Sequence, residues 1–231
     1  LPMTNINEMF SSIAHRYDLL NRLLSMGMDK YWRRVAVDQI KLMPGEKYID
    51  VAAGTGDMAI EIVRQRVAGI HVAAVDFSQN MIDFGGRKIK KMHFESMIKF
   101  HLADGENLPF EDNSFNSAVC AFGVRNFSDQ SKGIKEMRRV IKENGRVVIL
   151  EFSKPENRFF RFLYYLYFKK MLPLIGGLIS GRFSAYRYLP DSVLNFYSQE
   201  ELKLVMKKAG LRKINYFTLT FGIVTVHTGY K

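Results

Sequence analysis

Cysteine is nearly absent from this chain: Cys120 is the only one in 231 residues. No disulfide can form within the chain, which fits a reducing compartment. Cys120 lies inside the apolar run Ala118-Val119-Cys120-Ala121-Phe122, so a buried structural thiol is expected. No apolar run approaches the roughly 20 residues that a membrane span requires. Leu1-Pro2 reads as a remnant ahead of a native Met3, and no charged-then-apolar leader follows. The histidines His15, His71, His93, His101 and His227 show no metal-ligand spacing, alone or with Cys120, so no metal is expected. His71 and His101 fall in strand patterns and read as packing residues. Internal repeats and low-complexity linkers are also missing. A cytoplasmic protein, at most peripheral at the inner face of the cell membrane, is the expectation.

Acidic charge is in deficit. Against 34 Lys and Arg stand 23 Asp and Glu, a net charge of +11. That balance permits nucleic acid or an anionic membrane surface as a partner. Distribution decides more than the total. Arg87-Lys88-Ile89-Lys90-Lys91 sits late in a helical pattern, where it complements the helix dipole and reads as a solvated face. A hydrophobic content of 47% supports a substantial core, and the length suits one domain over 1–231.

Residues 5–42 read as helices before any strand. Strands are predicted at 47–52, 70–75, 97–102, 116–122 and 145–152, with helices at 57–66, 79–92 and 129–143 between them. Such alternation implies a mostly parallel sheet with helices on both faces. Residues 155–197 interrupt it with an aromatic, mostly helical insertion. A helix at 199–209 stopped by Gly210, then strands near 212–219 and 222–230 around Phe221-Gly222, imply a terminal antiparallel hairpin. The total is a seven-stranded α/β sheet.

The run Tyr48-Ile49-Asp50-Val51 ends in Ala52-Ala53-Gly54-Thr55-Gly56-Asp57 and continues as a helical pattern. This is strand, glycine turn and helix, a backbone that a ligand can approach closely. Asp76 closes the next apolar run about 20 residues after Gly56, the spacing at which an acid meets a ribose hydroxyl. An adenosine-containing cofactor is implied. Gly54 to Ala59 also satisfies the relaxed dinucleotide fingerprint, so the loop alone leaves the cofactor open. Asp50 beside the loop favours S-adenosylmethionine: a carboxylate suits an ammonium group and repels a pyrophosphate. Leu102-Ala103-Asp104-Gly105-Glu106-Asn107-Leu108-Pro109-Phe110 resembles the adenine-contacting loop of class I methyltransferases. A dinucleotide dehydrogenase would need a catalytic His, Tyr-Lys or Cys set, and none stands out. A nucleic-acid methyltransferase should show an Asn-Pro-Pro-Tyr motif, which is absent, so no nucleic-acid partner is expected. A non-catalytic membrane module would leave the cofactor loop unused.

Further motifs carry a family resemblance. Tyr17-Asp18-Leu19-Leu20-Asn21, Leu24-Ser25-Met26-Gly27-Met28 and Trp32-Arg33 are similar to the amino-terminal signature of the quinone-biosynthesis C-methyltransferases. So are Asp50 to Asp57, Phe122 to Asp129, Glu151-Phe152-Ser153-Lys154-Pro155 and Tyr186 to Ser192. These enzymes form the demethylmenaquinone and 2-methoxy-6-polyprenyl-1,4-benzoquinol methyltransferase family. The chain departs from its pattern at Ala53, Asp104-Gly105 and Ala121. Ala53 is tolerable if its φ is negative, and Asp104 keeps an acceptor for an adenine amino group.

The resemblance implies the Rossmann-like class I methyltransferase fold and methyl transfer from S-adenosylmethionine to a ring carbon of a prenylated quinol. Demethylmenaquinol is the first choice, ubiquinone precursors the second, and another small-molecule methyl acceptor the alternative. A ring carbon is a poor nucleophile unless an adjacent hydroxyl loses its proton, so the acceptor must be the reduced hydroquinone. Arg125 would lower the phenol pKa, Asn126 would orient the hydroxyl, and Asp104 would accept the proton. An Arg125 salt-bridged to Asp104 or Asp129 for loop structure is the competing reading. Gly54, Thr55 and Gly56 would line the methionine part of the cofactor and Asp76 would bind the ribose. Asp104-Gly105, Phe77 and Met81 would surround the adenine. Tyr17 and Asn21 would cap the cofactor, and Tyr188 and Ser192 would close over the quinol.

The insertion has two sides on a helical wheel. Arg158, Arg161 and Lys169 share one, and Phe160, Leu163, Tyr164, Tyr167 and Met171 the other. Leu172 to Ile179 follow. A helix packed on the core, a polyprenyl channel and a membrane-surface anchor all fit. A homodimer is compatible with the sequence as well.

Overall fold

The computed structural model describes residues 18–19, 21–23, 25–167 and 190–231. His15, Tyr17, Lys169, Met171, Leu172 to Ile179 and Tyr188 lie outside them, as does the side chain of Leu163. Helical turns at 18–19 and 21–23 precede helix α1, Met28–Asp38. Then come β1 (Lys47–Val51), α2 (Asp57–Arg64), β2 (His71–Asp76), α3 (Gln79–Lys91), β3 (Ile98–Leu102) and β4 (Phe115–Ala121). A short 3-10 turn, Val124–Asn126, leads to α4 (Gln130–Val140) and β5 (Ile141–Phe152). Helix α5 (Arg158–Leu166), helix α6 (Gln199–Lys208) and strands β6 (Arg212–Leu219) and β7 (Val224–Tyr230) complete the described chain.

The sheet has seven strands in the order β3-β2-β1-β4-β5-β7-β6. The first five are parallel and β7 runs antiparallel to both neighbours. Strand order reverses between β1 and β4, and ligands bind at that reversal, beyond the carboxyl ends of the strands. β1 is buried from Tyr48 to Val51, because helices cover both faces of a central parallel strand. One apolar layer gathers Trp32, Ile60, Ile62 and Val226, and the other gathers Ile49, Cys120, Ile134 and Leu202. Cys120 is fully buried, as its apolar run implied, and burial raises its pKa.

The junction of α4 and β5 differs from the periodicity. The helix expected to reach 143 ends at Val140, because Ile141 is extended (φ −88°, ψ 151°) and pairs with Phe115. Pairing with β4 resumes at Arg146 opposite Ser117, past Asn144, whose φ is +62°. His71 is exposed at the start of β2 rather than packed. His101 does pack, edge-on to Phe110 at 5.1 Å. Helix α5 presents more than one apolar side. Tyr164 is buried and Phe160 stacks on Phe221 at 4.3 Å, while Phe159, Phe162 and Leu166 face outward.

Candidate functional site

Four loops at the carboxyl ends of β1, β2, β3 and β4 line one cleft. They contribute Asp50, Ala52 to Thr55 and Asp57, Asp76-Phe77, Ala103-Asp104-Gly105, and Ala121 to Gly123 with Asn126-Phe127, joined by Met58 from α2, Met81 from α3 and Arg33 from α1. The loop after β1 turns on two glycines, Gly54 at φ +56° and Gly56 at φ +81°. A Cβ on Gly56 would stand 2.8 Å from Cζ of Phe100, so that position needs glycine for contact as well as conformation. Ala53 is not among the positive-φ residues, which makes the departure from glycine tolerable; Ala52 is, at +56°.

Asp76 pins this loop. Its Oδ2 accepts from the Gly54 amide at 2.7 Å and its Oδ1 from the Ser78 amide at 2.9 Å. Burial raises its pKa against the pull of those amides. Asp50, fully buried at the end of β1, accepts from the Ala59 amide through Oδ2 at 3.0 Å. Its Oδ1 has no hydrogen-bond partner among the described residues. Desolvation pushes its pKa up to about 8, opposed by the Ala59 amide and by the nearby Arg33 charge. An orphaned, buried carboxylate oxygen on a cleft wall is what a ligand ammonium group would satisfy. Asp104 Oδ1 accepts from the Glu106 amide at 2.9 Å and Asn126 Nδ2 reaches the Phe122 carbonyl at 3.5 Å. Met81 is 2% exposed yet lines the cleft, so it belongs to the buried interior and to the cleft wall at once.

Arg125 lies elsewhere than expected. It is not among the cleft-lining residues. Its partner is neither Asp104 nor Asp129 but Glu151 at the end of β5, at 2.7 Å, with both side chains buried. Nη1 also donates to the Phe122 carbonyl at 2.5 Å, and Nε has no partner among the described residues. Burial raises the Glu151 pKa, and the Arg125 charge pulls it back.

Three residues that build or support the cleft escaped sequence reasoning. Arg33 lines the cleft from α1. Glu106 is buried and accepts from the Ser128 and Asp129 amides at 2.6 and 3.1 Å, binding the loop after β3 to the loop after β4. Lys88 belongs to the run read as solvated. Instead its Nζ donates to Asp18 Oδ2 at 2.6 Å, Asp57 Oδ1 at 2.7 Å and Thr55 Oγ1 at 2.9 Å. Thr55 in turn donates to Asp18 Oδ1 at 2.5 Å. Burial would raise the Asp57 pKa, but Arg33 and Lys88 together lower it. No local pattern distinguishes Lys88 from its charged neighbours. Asn21 and Ser192 are described but are not among the cleft-lining residues, and Tyr17 and Tyr188 lie outside the described residues. No group of His, Cys, Asp and Glu that would hold a metal occurs among the described residues.

With this geometry in view, the comparison with known families is specific: the profile of the ubiE/COQ5 methyltransferase family matches residues 2–231. The chain belongs to that family. As a member it is similar over 226 residues, at 51% identity, to the ubiquinone/menaquinone biosynthesis C-methyltransferase UbiE of Geotalea uraniireducens, covering 98% of this chain and 96% of the relative. The demethylmenaquinone methyltransferase of Thermus thermophilus is 45% identical over 221 residues, 96% of this chain and 99% of that one. A SAM-dependent methyltransferase structure from Aquifex aeolicus shares the fold, with a TM-score of 0.67 at 18% identity over 92% of this chain and 96% of that one. The [4+2]-cyclase SpnF shares it too, with a TM-score of 0.73 at 14% identity, covering 98% and 94%. This family member is a methyltransferase of the Rossmann-like class I fold, with S-adenosylmethionine as its cofactor. The cleft is compatible with that group: its wall holds a glycine turn, and the buried Asp50 Oδ1 has no hydrogen-bond partner among the described residues.

Proposed function

We propose that this enzyme methylates a ring carbon of a reduced, prenylated quinol, converting demethylmenaquinol to menaquinol. The full-length match to quinone-biosynthesis C-methyltransferases carries the reading, supported by the cleft at the strand-order reversal. Residues 1–231 act as one methyltransferase unit. When bound, S-adenosylmethionine supplies a methyl group already activated on a sulfonium.

The protein's part is to hold, orient and exclude water. Asp50 receives the ammonium end, Gly54, Thr55 and Gly56 flank the methionine part, and Asp76 receives the ribose. Phe77, Met81, Asp104 and Gly105 surround the adenine, with Tyr17 as a cap. Asn126, on the cleft wall, orients the quinol hydroxyl. Asp104 takes its proton, directly or through water. Arg125, bonded to the carbonyl of the cleft-lining Phe122, favours the phenolate through its charge, which Glu151 partly offsets. Asn21, Tyr188 and Ser192 complete the cover over the substrate.

The substrate is lipid-soluble, and α5 suits a bilayer surface. Phe159 and Phe162 are each 66% exposed, Leu166 is 42% exposed, and Arg158 stands exposed beside them. Aromatic and basic side chains together fit an anionic interface, so the enzyme works peripherally at the inner face of the membrane. No helix among the described residues is long and apolar enough to cross a membrane.

The test is methyl transfer to demethylmenaquinone with and without dithionite. Product carrying the added methyl should form only with the reductant. Equal rates on oxidised quinone held free of reductant refute the phenolate mechanism. Tight NAD binding without a response to S-adenosylhomocysteine refutes the cofactor reading.

A further inference from the structure

Among the described residues that line the cleft, the carboxylates Asp50, Asp57, Asp76 and Asp104 face a single basic side chain, Arg33. Arg33 is 8% exposed and sits on α1, outside the four loops that form most of the wall. Its orientation is built from the chain. Ser25 Oγ donates to Asp29 Oδ1 at 3.0 Å, and Asp29 Oδ2 accepts from Arg33 Nη1 at 2.8 Å, one helical turn away. The same Nη1 donates to the Asp29 carbonyl at 3.3 Å. Both hydrogen bonds of Arg33 within the described residues thus leave from Nη1. The Nη2 and Nε edge of the fork stays available, with the guanidinium 5.6 Å from the Phe122 ring centroid.

The cofactor ends in an α-amino acid, whose ammonium and carboxylate sit on one carbon. Wherever Asp50 holds the ammonium, the carboxylate must lie close by, on a wall otherwise lined with acids that repel it. A guanidinium fork is the geometry that matches a carboxylate. We infer that Arg33 anchors the carboxylate of the cofactor's amino-acid end through its Nη2 and Nε edge. Arg33 and Asp50 form a two-sign cradle for a zwitterion, and Asp29 sets its aim. The inference rests on the proposed placing of the ammonium at Asp50. The competing arrangement leaves the carboxylate to the backbone amides that open α2.

Calorimetric binding separates these possibilities. The ligands are S-adenosylhomocysteine, its decarboxylated analogue, its deaminated analogue and 5′-methylthioadenosine, which lacks both charges. The proteins are the full chain and its variants Arg33→Gln, Arg33→Lys and Asp50→Asn. Losing a charge-assisted contact should weaken S-adenosylhomocysteine binding to Arg33→Gln by about 10- to 100-fold. Binding of the decarboxylated analogue and of 5′-methylthioadenosine should stay within about twofold, and Arg33→Lys should recover part of the loss. Three outcomes overturn the inference. Unchanged S-adenosylhomocysteine affinity in Arg33→Gln returns the carboxylate to the amides. An equal loss for all four ligands makes Arg33 merely structural. A wild-type protein that binds the decarboxylated analogue as well as the parent has no carboxylate anchor, which settles the matter even if the variants fail to fold. Failure of the Asp50 reading looks different: Asp50→Asn then weakens the deaminated analogue as much as the parent, while the Arg33 pattern persists.

Discussion

Asp50 is a carboxyl group kept from water with only one of its oxygens satisfied. Its pKa of about 8, raised first by desolvation, gives two signed predictions. Binding a cation there requires the carboxylate, so below that pKa a proton must leave on binding. S-adenosylhomocysteine affinity should rise by up to about tenfold per pH unit from pH 6 toward 8, then level off. Asp50→Asn should bind more weakly and lose this slope. Stability runs the other way. The folded state holds its proton more tightly than the unfolded one, so Asp50's contribution is fully present below the ordinary carboxylate range and is lost as pH rises through about 8. Thermal melts of the ligand-free protein should fall across that window, and less so in Asp50→Asn. Arg125 tests a different link. Removing it strands buried Glu151, which costs about 3–5 kcal/mol of stability. Arg125→Ala should lose turnover by about 100-fold, with cofactor affinity nearly intact. The double variant Arg125→Met/Glu151→Gln should recover the melting temperature without recovering turnover. If both recover, Arg125 is a structural residue only.

Between elements, Lys88 joins three parts of the chain: α3, the opening of α2 and the helical turn at Asp18. Its side chain is 19% exposed, so its two ion pairs are shielded from water more than ordinary surface pairs are. Lys88→Met should therefore loosen 18–23 before it loosens the sheet. Hydrogen exchange of amides 21–23 should speed up, with protection in β1 and β4 unchanged. Cofactor affinity should fall several-fold, because Thr55 and Asp57 lose the cation that holds them. Protection that falls equally everywhere would make Lys88 a general stabiliser. A second tie reaches further: Trp32 Nε1 donates to Thr220 Oγ1 at 2.7 Å, joining α1 to the turn of the terminal hairpin. That turn holds Thr220 and Phe221 at φ +49° and +56°, a costly conformation that the bond and the Phe160 stack help to hold.

Across the whole molecule, net charge and exposed apolar surface act together. On the proposed membrane-surface reading, the +11 charge would draw the protein to anionic lipid, and the exposed Phe159, Phe162, Leu166 and Phe221 would offer apolar side chains for the interface. Binding to vesicles containing phosphatidylglycerol should weaken with salt. Phe159→Ser/Phe162→Ser should reduce it by about tenfold or more, the effect of keeping two rings in water. That variant should fold normally and turn over a short-tailed quinol at the wild-type rate. Phe160 and Tyr164, placed on the same side as Tyr167 by the helical wheel, turn toward the protein, so replacing them should lower the melting temperature instead. Vesicle binding unchanged in the Phe159/Phe162 variant would remove α5 from the membrane contact.

Local chemistry was enough for much of this. The β1-turn-α2 unit, Asp76 at the end of β2, the buried Cys120 and the antiparallel hairpin follow from side-chain periodicity, glycine placement and chain direction, which act over a few residues. So does the convergence of the four loops, once alternating strands and helices demand a parallel sheet. The family motifs likewise carried Arg125-Asn126 as a pair worth testing. What the pattern left undetermined was which charge meets which. Arg125 pairs with Glu151 from the next strand, Lys88 with Asp18 and Asp57 from two other segments, and Arg33 lines the same cleft as Asp50. Asp104 and Asp129 lie nearer to Arg125 in sequence, yet the sheet brings the ends of β4 and β5 together and leaves those acids on other loops. Helix α5 shows the same limit, since its apolar residues fill more than one side and only packing decides which of them is buried. Pairing of charges and choice of buried face depend on distances set by the assembled sheet, and residues far apart in sequence carry no local mark of them.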